Sequence, residues 1–128
     1  MKRAWYIRNP PDLEMLNGLC GVLLRYNDFE SFSRVKTDVN HFRCKLHQAG
    51  WKEEENVIKF TILSDRFLRG MVRAVVGTLV EIARGKIPAG ELPGIIEGKD
   101  RRLAGPAAPA HGLYLSKIEY PRDIFVKL

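Results

Sequence analysis

Cysteine and histidine are too sparse and too scattered in this sequence to suggest a metal centre. Cys20 and Cys44 stand in no CxxC or mixed Cys/His spacing, and each falls at an apolar position of a predicted element. His41, His47 and His111 form no HxxxH or HExxH pattern. We therefore expect two small buried thiols and no metal site.

Long apolar runs are also missing. No stretch approaches the roughly 20 apolar residues that a helix needs to cross a membrane. The opening MKRAWYIRNPP carries charge but no continuous apolar segment like that of a signal peptide. Internal repeats, low-complexity tracts and linkers are absent as well. The expectation is one domain over residues 1–128, located in the cytoplasm and without a membrane partner.

The sequence does contain enough apolar side chain for a core, together with an excess of positive charge. Hydrophobic residues make up 45% of the 128 positions, which is sufficient for one folded domain. The formal net charge is +6 and the isoelectric point is near 9.5. Because a basic domain favours a polyanionic partner, nucleic acid is the first class of partner to consider.

The hydrophobic pattern changes period several times along the chain. Alternation with period two predicts strands, and apolar residues at steps of three and four predict helices. The predicted strands cover residues 4–8, 42–51, 57–63 and 112–120, and the predicted helices begin near residues 12, 67 and 90. This order predicts an α+β fold in which a mainly antiparallel sheet has its helices packed on one face.

The strand patterns divide side chains between a core face and an open face. In FRCKLHQAGW, the residues Phe42, Cys44 and Leu46 alternate with Arg43, Lys45 and His47. In GLYLSKIEYP, Leu113 and Leu115 fall opposite Ile118 and Tyr120, which we expect to point toward the helices. The open face then carries basic side chains and a small apolar patch, which suits a partner surface.

The predicted long helix FLRGMVRAVVGTLVEIARGK, residues 67–86, stops at Gly85 and Lys86 and combines a broad apolar stripe with a second stripe of glycines and charges. The apolar stripe, which we expect to face the core, consists of Leu68, Met71, Val72, Val75, Val76, Leu79, Ile82 and Ala83. A glycine inside a helix costs about 0.5–1 kcal/mol relative to alanine, so Gly70 and Gly77 need a reason to be there. Arg73 lies between them, and no acid stands three or four residues from it. We expect this side to be unpacked, with the glycines leaving room for another backbone or a ligand.

Several motifs together resemble those of the tRNA pseudouridine synthase A family, in its carboxy-terminal half. Residues 67–79 match the pattern F-L-x-x-M-V-R-x-x-V-G-T-L, and residues 100–115 match D-R-x-x-A-G-P-x-A-P-x-x-G-L-Y-L. Ala83 replaces the first glycine of the family's G-x-G-K. The resemblance implies an enzyme that converts uridine to pseudouridine in the tRNA anticodon stem-loop, without cofactor or metal and usually as a homodimer.

The resemblance also implies that this chain lacks the nucleophile. The family's catalytic aspartate lies in an R-T-D-x-G-V-H-A motif of the amino-terminal half. The nearest string here, KTDVNH at residues 36–41, lacks the arginine, the glycine and the V-H-A context, so we do not expect Asp38 to be catalytic. The chain is expected to be a half enzyme, inactive until it is joined by the missing amino-terminal half.

The expected site residues follow from the same motifs and from the charge. The resemblance implies that Arg73 pairs with the catalytic aspartate of the other half, because a guanidinium holds a carboxylate ionised through two parallel hydrogen bonds. It also implies that Leu113, Tyr114 and Leu115 line the cleft for the target uridine. The basic residues expected to contact tRNA phosphates are Arg43, Lys45, Arg66, Arg69, Arg84, Lys86, Arg101 and Arg102.

Two other functions remain open at this point. One is a non-catalytic basic α+β RNA-binding module, and the other is a basic domain used only for dimerisation. The sequence has no RNP1-like string, and its GxxG at residues 18–21 falls inside a predicted apolar helix instead of a clamp loop. Recovery of isomerisation when the chain is mixed with its missing half would separate the first hypothesis from these two.

Overall fold

The computed structural model describes the backbone of residues 5–6, 12–35, 39–54, 57–109, 113–115 and 122–127, and the side chains of residues 12–35, 39–53 and 58–109. The strands are Trp5–Tyr6 (β1), Leu46–Glu54 (β2), Val57–Ser64 (β3), Leu113–Leu115 (β4) and Arg122–Lys127 (β5). The α-helices are Leu13–Leu23 (α1), Met71–Ala83 (α2) and Leu92–Glu97 (α3). None of these helices is long and apolar enough to cross a membrane.

The five strands form one mainly antiparallel sheet in the order β1-β5-β3-β2, with β4 also paired to β5. The hairpin of β2 and β3 sets Trp51 opposite Phe60, with their ring centroids 4.8 Å apart. β5 runs antiparallel to β3 and β4 and parallel to β1. One hydrophobic core joins α1, α2, α3 and the sheet. These features confirm the predicted α+β fold with helices packed against the sheet.

The hairpin begins at Leu46, four residues later than predicted. The segment before it pairs with a different loop, since the Cys44 N–H donates to the Asn27 carbonyl at 2.9 Å. Arg43 and Lys45 are exposed, as the alternation predicted, but they lie outside the strands of the sheet. The prediction that they stand on the open sheet face is therefore wrong.

The end of the chain contains one strand more than predicted. β4 lies within the strand predicted over residues 112–120, of which residues 116–120 lie outside the described part. A further strand, β5, follows and was not predicted. Its sequence RDIFVK has a continuous apolar run and no alternation, which is typical of a strand covered on both faces and is hard to distinguish from a helix by its period.

The first helix forms as predicted near Asp12. The Asp12 carboxylate accepts a hydrogen bond from the N–H of Glu14 at 2.9 Å, which caps the helix and satisfies one of its free donors. The buried face of α1 consists of Leu16, Leu19, Cys20 and Leu23. The apolar spacing predicts that these four residues share one face with Leu13, which is half-buried in the structure.

Both ends of α2 depend on glycine. Gly70 is the residue before the helix and has a φ of 73°, a left-handed conformation that glycine adopts without strain. Gly70 is therefore not inside a helix, and the predicted helical cost does not arise there. At the other end Gly85 has a φ of 82°, and the Lys86 N–H donates to the Glu81 carbonyl at 2.9 Å in a Schellman motif. The predicted stop at Gly85 is confirmed.

α2 is buried nearly all round and not along one stripe. The predicted core-facing stripe is confirmed, except that Ala83 is half-buried. Gly77 and Thr78, on the other side, are buried as well, so the expectation that this side is unpacked is wrong there. Arg73, Glu81 and Arg84 on the same side are partly exposed.

Both cysteines are free and buried, as predicted. Burial raises the pKa of the Cys20 thiol to about 12 and that of the Cys44 thiol to about 11. Since a thiol reacts as its thiolate, these two groups are chemically quiet at neutral pH. Both side chains belong to the hydrophobic core.

We expect the native chain to react with a chromogenic disulfide reagent at pH 8 far more slowly than the urea-unfolded chain. The free energy of unfolding should also fall as the pH rises above about 9, because unfolded thiols lose their protons there while the folded ones hold them to about 11 and 12. Urea titrations across this range, with a Cys20→Ala/Cys44→Ala variant as control, measure the slope. Rapid labelling of the native chain would contradict the burial.

Candidate functional site

The predicted basic residues lie at more than one place along α2. Arg73 and Arg101 line a common pocket of about 330 Å³ near the start of α2, together with Arg34. Arg84 follows α2 at its other end, about 16 Å along the helix axis from Arg73 at the usual rise of about 1.5 Å per residue, and Lys86 lies beyond it. The arrangement therefore contains a concentrated arginine pocket and a separate basic end of the helix.

The arginine pocket has a simple composition. Its described lining consists of Arg34, Val35, Gly70, Arg73, Arg101 and Ala107. Three guanidinium groups and no carboxylate are present in this set, so the pocket attracts a carboxylate or a phosphate. Among the residues with described side chains, no group of three or more His, Cys, Asp or Glu residues could hold a metal ion. The chemistry available in the pocket is anion binding.

Among the described residues, the Arg73 guanidinium forms a hydrogen bond through only one of its three nitrogens. Its Nε–H donates to the Ala108 carbonyl at 2.7 Å, and the side chain is partly exposed. Within the described part of the chain, no carboxylate lies within ion-pair distance of Arg73, and its two terminal nitrogens have no hydrogen-bond partner. Because Nε is occupied, a bidentate carboxylate would have to meet the guanidinium end-on, through Nη1 and Nη2.

The loop that holds Arg73 comprises residues 105–108 and is called the GPAA loop below. It rests directly on α2, where a Cβ built on Gly77 would overlap the Pro106 carbonyl oxygen and lie 2.9 Å from the Ala108 nitrogen. The Ala108 N–H donates to the Arg73 carbonyl at 2.8 Å. Gly77 does leave room for another backbone, but that backbone is this chain's own loop and not an opposing half or an RNA.

The other end of the GPAA loop is tied at Gly105. The Thr78 hydroxyl donates to the Ala74 carbonyl at 2.8 Å and accepts the Gly105 N–H at 2.9 Å. Arg101 donates from Nη1 to the Gly105 carbonyl at 2.9 Å. Arg101, expected as a phosphate contact, therefore also fixes the loop that carries the Arg73 anchor.

Two other residues that were predicted to contact phosphates, Arg66 and Arg102, form hydrogen bonds to groups of this chain. Arg66 donates from Nη1 to the carbonyls of His41 and Arg43, at 3.0 and 3.2 Å, and so holds the loop before β2. Arg102 forms a two-pronged ion pair with Asp100, with Nη2 and Oδ2 2.8 Å apart. Hydrogen bonds from Arg102 lower the pKa of Asp100 below its ordinary value. The positive charge of Arg102 is largely neutralised by this partner.

Arg34 is the member of the arginine pocket that the sequence did not single out. Its N–H donates to the Arg69 carbonyl at 2.8 Å, which fixes its backbone beside the turn that starts α2. No local pattern in the sequence marks it, because Arg73 and Arg101, which line the pocket with it, lie far along the chain from it.

The roles predicted for the remaining residues stay predictions. Arg43, Lys45, Arg69 and Lys86 are exposed. Leu113, Tyr114 and Leu115 form β4, which pairs with β5, but their side chains lie outside the described part. Asp38 also lies outside it.

Comparison with known proteins places these features in a family. A family model described as tRNA pseudouridine synthase matches residues 26–121. The chain is 46% identical over 114 residues to the tRNA pseudouridine synthase A of Parabacteroides distasonis, covering 89% of this chain and 45% of that protein. With the enzyme of the same name from Moorella thermoacetica it shares 38% identity over 117 residues, covering 91% of this chain and 48% of that protein.

The chain therefore belongs to the tRNA pseudouridine synthase family, as its motifs predicted. It spans about half the length of the curated relatives that it matches.

Arg34 lines the arginine pocket, whereas Arg102 is paired with Asp100, so variants of the two residues can be compared in RNA binding. We expect Arg34→Ala to reduce the slope of log affinity against log salt by about 0.7–0.9, the value for one lost phosphate contact. Arg102→Ala should change the slope less, because Asp100 already neutralises that guanidinium. Filter-binding or fluorescence titrations of an unmodified tRNA transcript at several salt concentrations measure both. Equal slopes for the two variants would contradict the expectation that Arg34 contributes more to phosphate binding than the paired Arg102.

Proposed function

We propose that this chain is the carboxy-terminal half of a tRNA pseudouridine synthase that isomerises uridine in the anticodon stem-loop. It supplies one wall of the active cleft and part of the RNA-binding surface, and the catalytic aspartate comes from the amino-terminal half. The observation that carries this proposal is Arg73, anchored through Nε and partly exposed in a pocket whose described lining holds three arginines and no carboxylate. An aspartate from the other half has the charge that this pocket binds.

The role of Arg73 follows from the chemistry of the reaction. The enzyme must detach the base at C1′ and reattach it through C5, and the aspartate must be ionised and aimed while this happens. A guanidinium stays charged at any working pH and fixes a carboxylate in a plane, which lysine cannot do. With Nε occupied, the end-on pair of Nη1 and Nη2 is the part of Arg73 that would hold the aspartate.

The remaining parts of the proposal concern the partners. The partners are tRNA and the amino-terminal half, and the complete enzyme is a cytoplasmic homodimer that works without metal or cofactor. Leu113, Tyr114 and Leu115 line the cleft, where apolar contact with an extruded uridine would exclude water from C1′. Exposed lysines and arginines beside the pocket contact the phosphates of the stem-loop.

Mixing this chain with a separately produced amino-terminal half should restore pseudouridine formation on a tRNA transcript. In that mixture we expect Arg73→Lys to lower kcat by about 100-fold or more with little change in tRNA affinity, because one fixed contact at the reacting centre is lost. Release of tritium from C5-labelled uridine measures turnover, and a gel-shift titration measures binding.

This chain alone serves as the control and should show no turnover. Turnover by the chain alone would reveal a nucleophile within it. If the mixture binds tRNA but never isomerises it, the chain is the non-catalytic RNA-binding module. If Arg73→Lys leaves kcat intact, Arg73 is a structural residue.

The affinity of the isolated chain for tRNA should be weak and should fall steeply with salt. Each phosphate that the protein neutralises contributes about 0.7–0.9 to the slope of log affinity against log salt, because bound counterions are released. Titrations between low and physiological salt give this slope for the wild-type chain. A flat profile would contradict phosphate contacts as the source of binding.

A further inference from the structure

We propose that the GPAA loop and the two α2 residues beneath it, Gly77 and Thr78, are positioning elements that aim the Arg73 guanidinium. The inference rests on the proposed function, since the pairing of Arg73 with a carboxylate gives its aim a catalytic meaning. None of these positioning groups needs to touch the substrate. They act through Arg73.

The first support is that the loop is tied to the rest of the domain at both ends. At one end Gly105 gives its N–H to Thr78 and receives Arg101 on its carbonyl, each at 2.9 Å. At the other end Ala108 gives its N–H to the Arg73 carbonyl at 2.8 Å and receives the Arg73 Nε–H on its own carbonyl at 2.7 Å. A short segment fixed in this way has little freedom to shift along the helix.

The second support is the close approach that glycine permits at two places. The Pro106 carbonyl oxygen occupies the space that a Cβ on Gly77 would need. A Cβ on Gly105 would lie 3.3 Å from both the Thr78 Cα and the Glu81 Cγ, which is already tight. The loop therefore lies against α2, and at Gly77 its distance from the helix is set by backbone atoms, which cannot change rotamer.

The seating of the GPAA loop determines the position of Arg73. Both its carbonyl and its Nε are bound to Ala108, so the side chain and the loop close a ring on each other. The position of Nε depends on where the Ala108 carbonyl lies, and that depends on how the loop is seated on Gly77 and Thr78. Without this anchor the guanidinium would sample several rotamers, and repulsion from Arg34 and Arg101 would favour those outside the pocket.

Thr78 gives the cleanest test, because a single atom can be removed. Thr78→Val keeps the shape of the side chain but leaves the buried Gly105 N–H without a partner, whereas Thr78→Ser keeps the hydroxyl. Ser64→Ala is the matched control, because it removes another buried hydroxyl that donates to a backbone carbonyl, that of Lys45, away from the GPAA loop. Melting temperatures of all variants show whether each one folds.

The first readout is independent of activity. In the isolated chain labelled with nitrogen-15, the Arg73 Nε–H signal is identified by its loss in Arg73→Lys, and its exchange with water is measured. We expect slow exchange in the wild type, Thr78→Ser and Ser64→Ala, and exchange at least about tenfold faster in Thr78→Val, as for a buried hydrogen bond weakened by one lost partner.

The second readout is turnover in the mixture with the amino-terminal half. Thr78→Val should lower kcat about tenfold, in line with a lost buried hydrogen bond, while KM for tRNA stays within about twofold. Thr78→Ser should restore kcat. Gly77→Ala should lower kcat about 100-fold, because its methyl group displaces the loop and misplaces the reacting pair.

The outcomes separate this inference from the proposed function. Unchanged exchange at Arg73 in Thr78→Val, or faster exchange with kcat unchanged, overturns the positioning role. If Arg73→Lys itself leaves turnover intact, the proposed function fails, and the catalytic part of this inference fails with it. Should Thr78→Val not fold, Arg101→Gln, a change at a half-exposed residue that releases the Gly105 carbonyl, takes its place with the exchange readout alone, because Arg101 also lines the arginine pocket.

Discussion

The seating of a loop carbonyl on a helix backbone is the constraint on which this half domain depends. The Pro106 oxygen lies where a side chain at position 77 would begin, so the helix must carry glycine there despite the loss of about 0.5–1 kcal/mol in helix propensity. That contact brings Ala108 next to Arg73, and the two exchange a pair of hydrogen bonds. Gly77 lowers the helix propensity of α2, and it thereby allows the GPAA loop to fix Arg73 on the helix surface.

The fold was predictable wherever the signal was local. The cap at Asp12 and the apolar faces of α1 and of the β2–β3 hairpin follow from residues close in sequence, and all were found. The start of β2 and the existence of β5 were not predictable in this way. Both depend on which distant backbone groups compete for pairing, and the apolar run in β5 has no period that separates a strand from a helix.

The site shows the same division. Arg73 stood out because no acid stands three or four residues from it on its helix and because its motif resembles a family motif. Its actual anchor lies 35 residues away in sequence, which no local pattern contains. Counting basic residues also could not show which charges were already committed, although the ion pair of Arg102 with Asp100, two residues before it, was within reach of local reasoning.

β5 lies between β3 on one edge and both β1 and β4 on the other, although it is the last of the described strands to be synthesised. On the ribosome, the first strand therefore waits for its partner until nearly the whole of this segment has been made. Pairing over so long a separation is slow, and the open edge of β3 meanwhile invites association with other chains. Completion of β5 is therefore the step that closes this edge during synthesis.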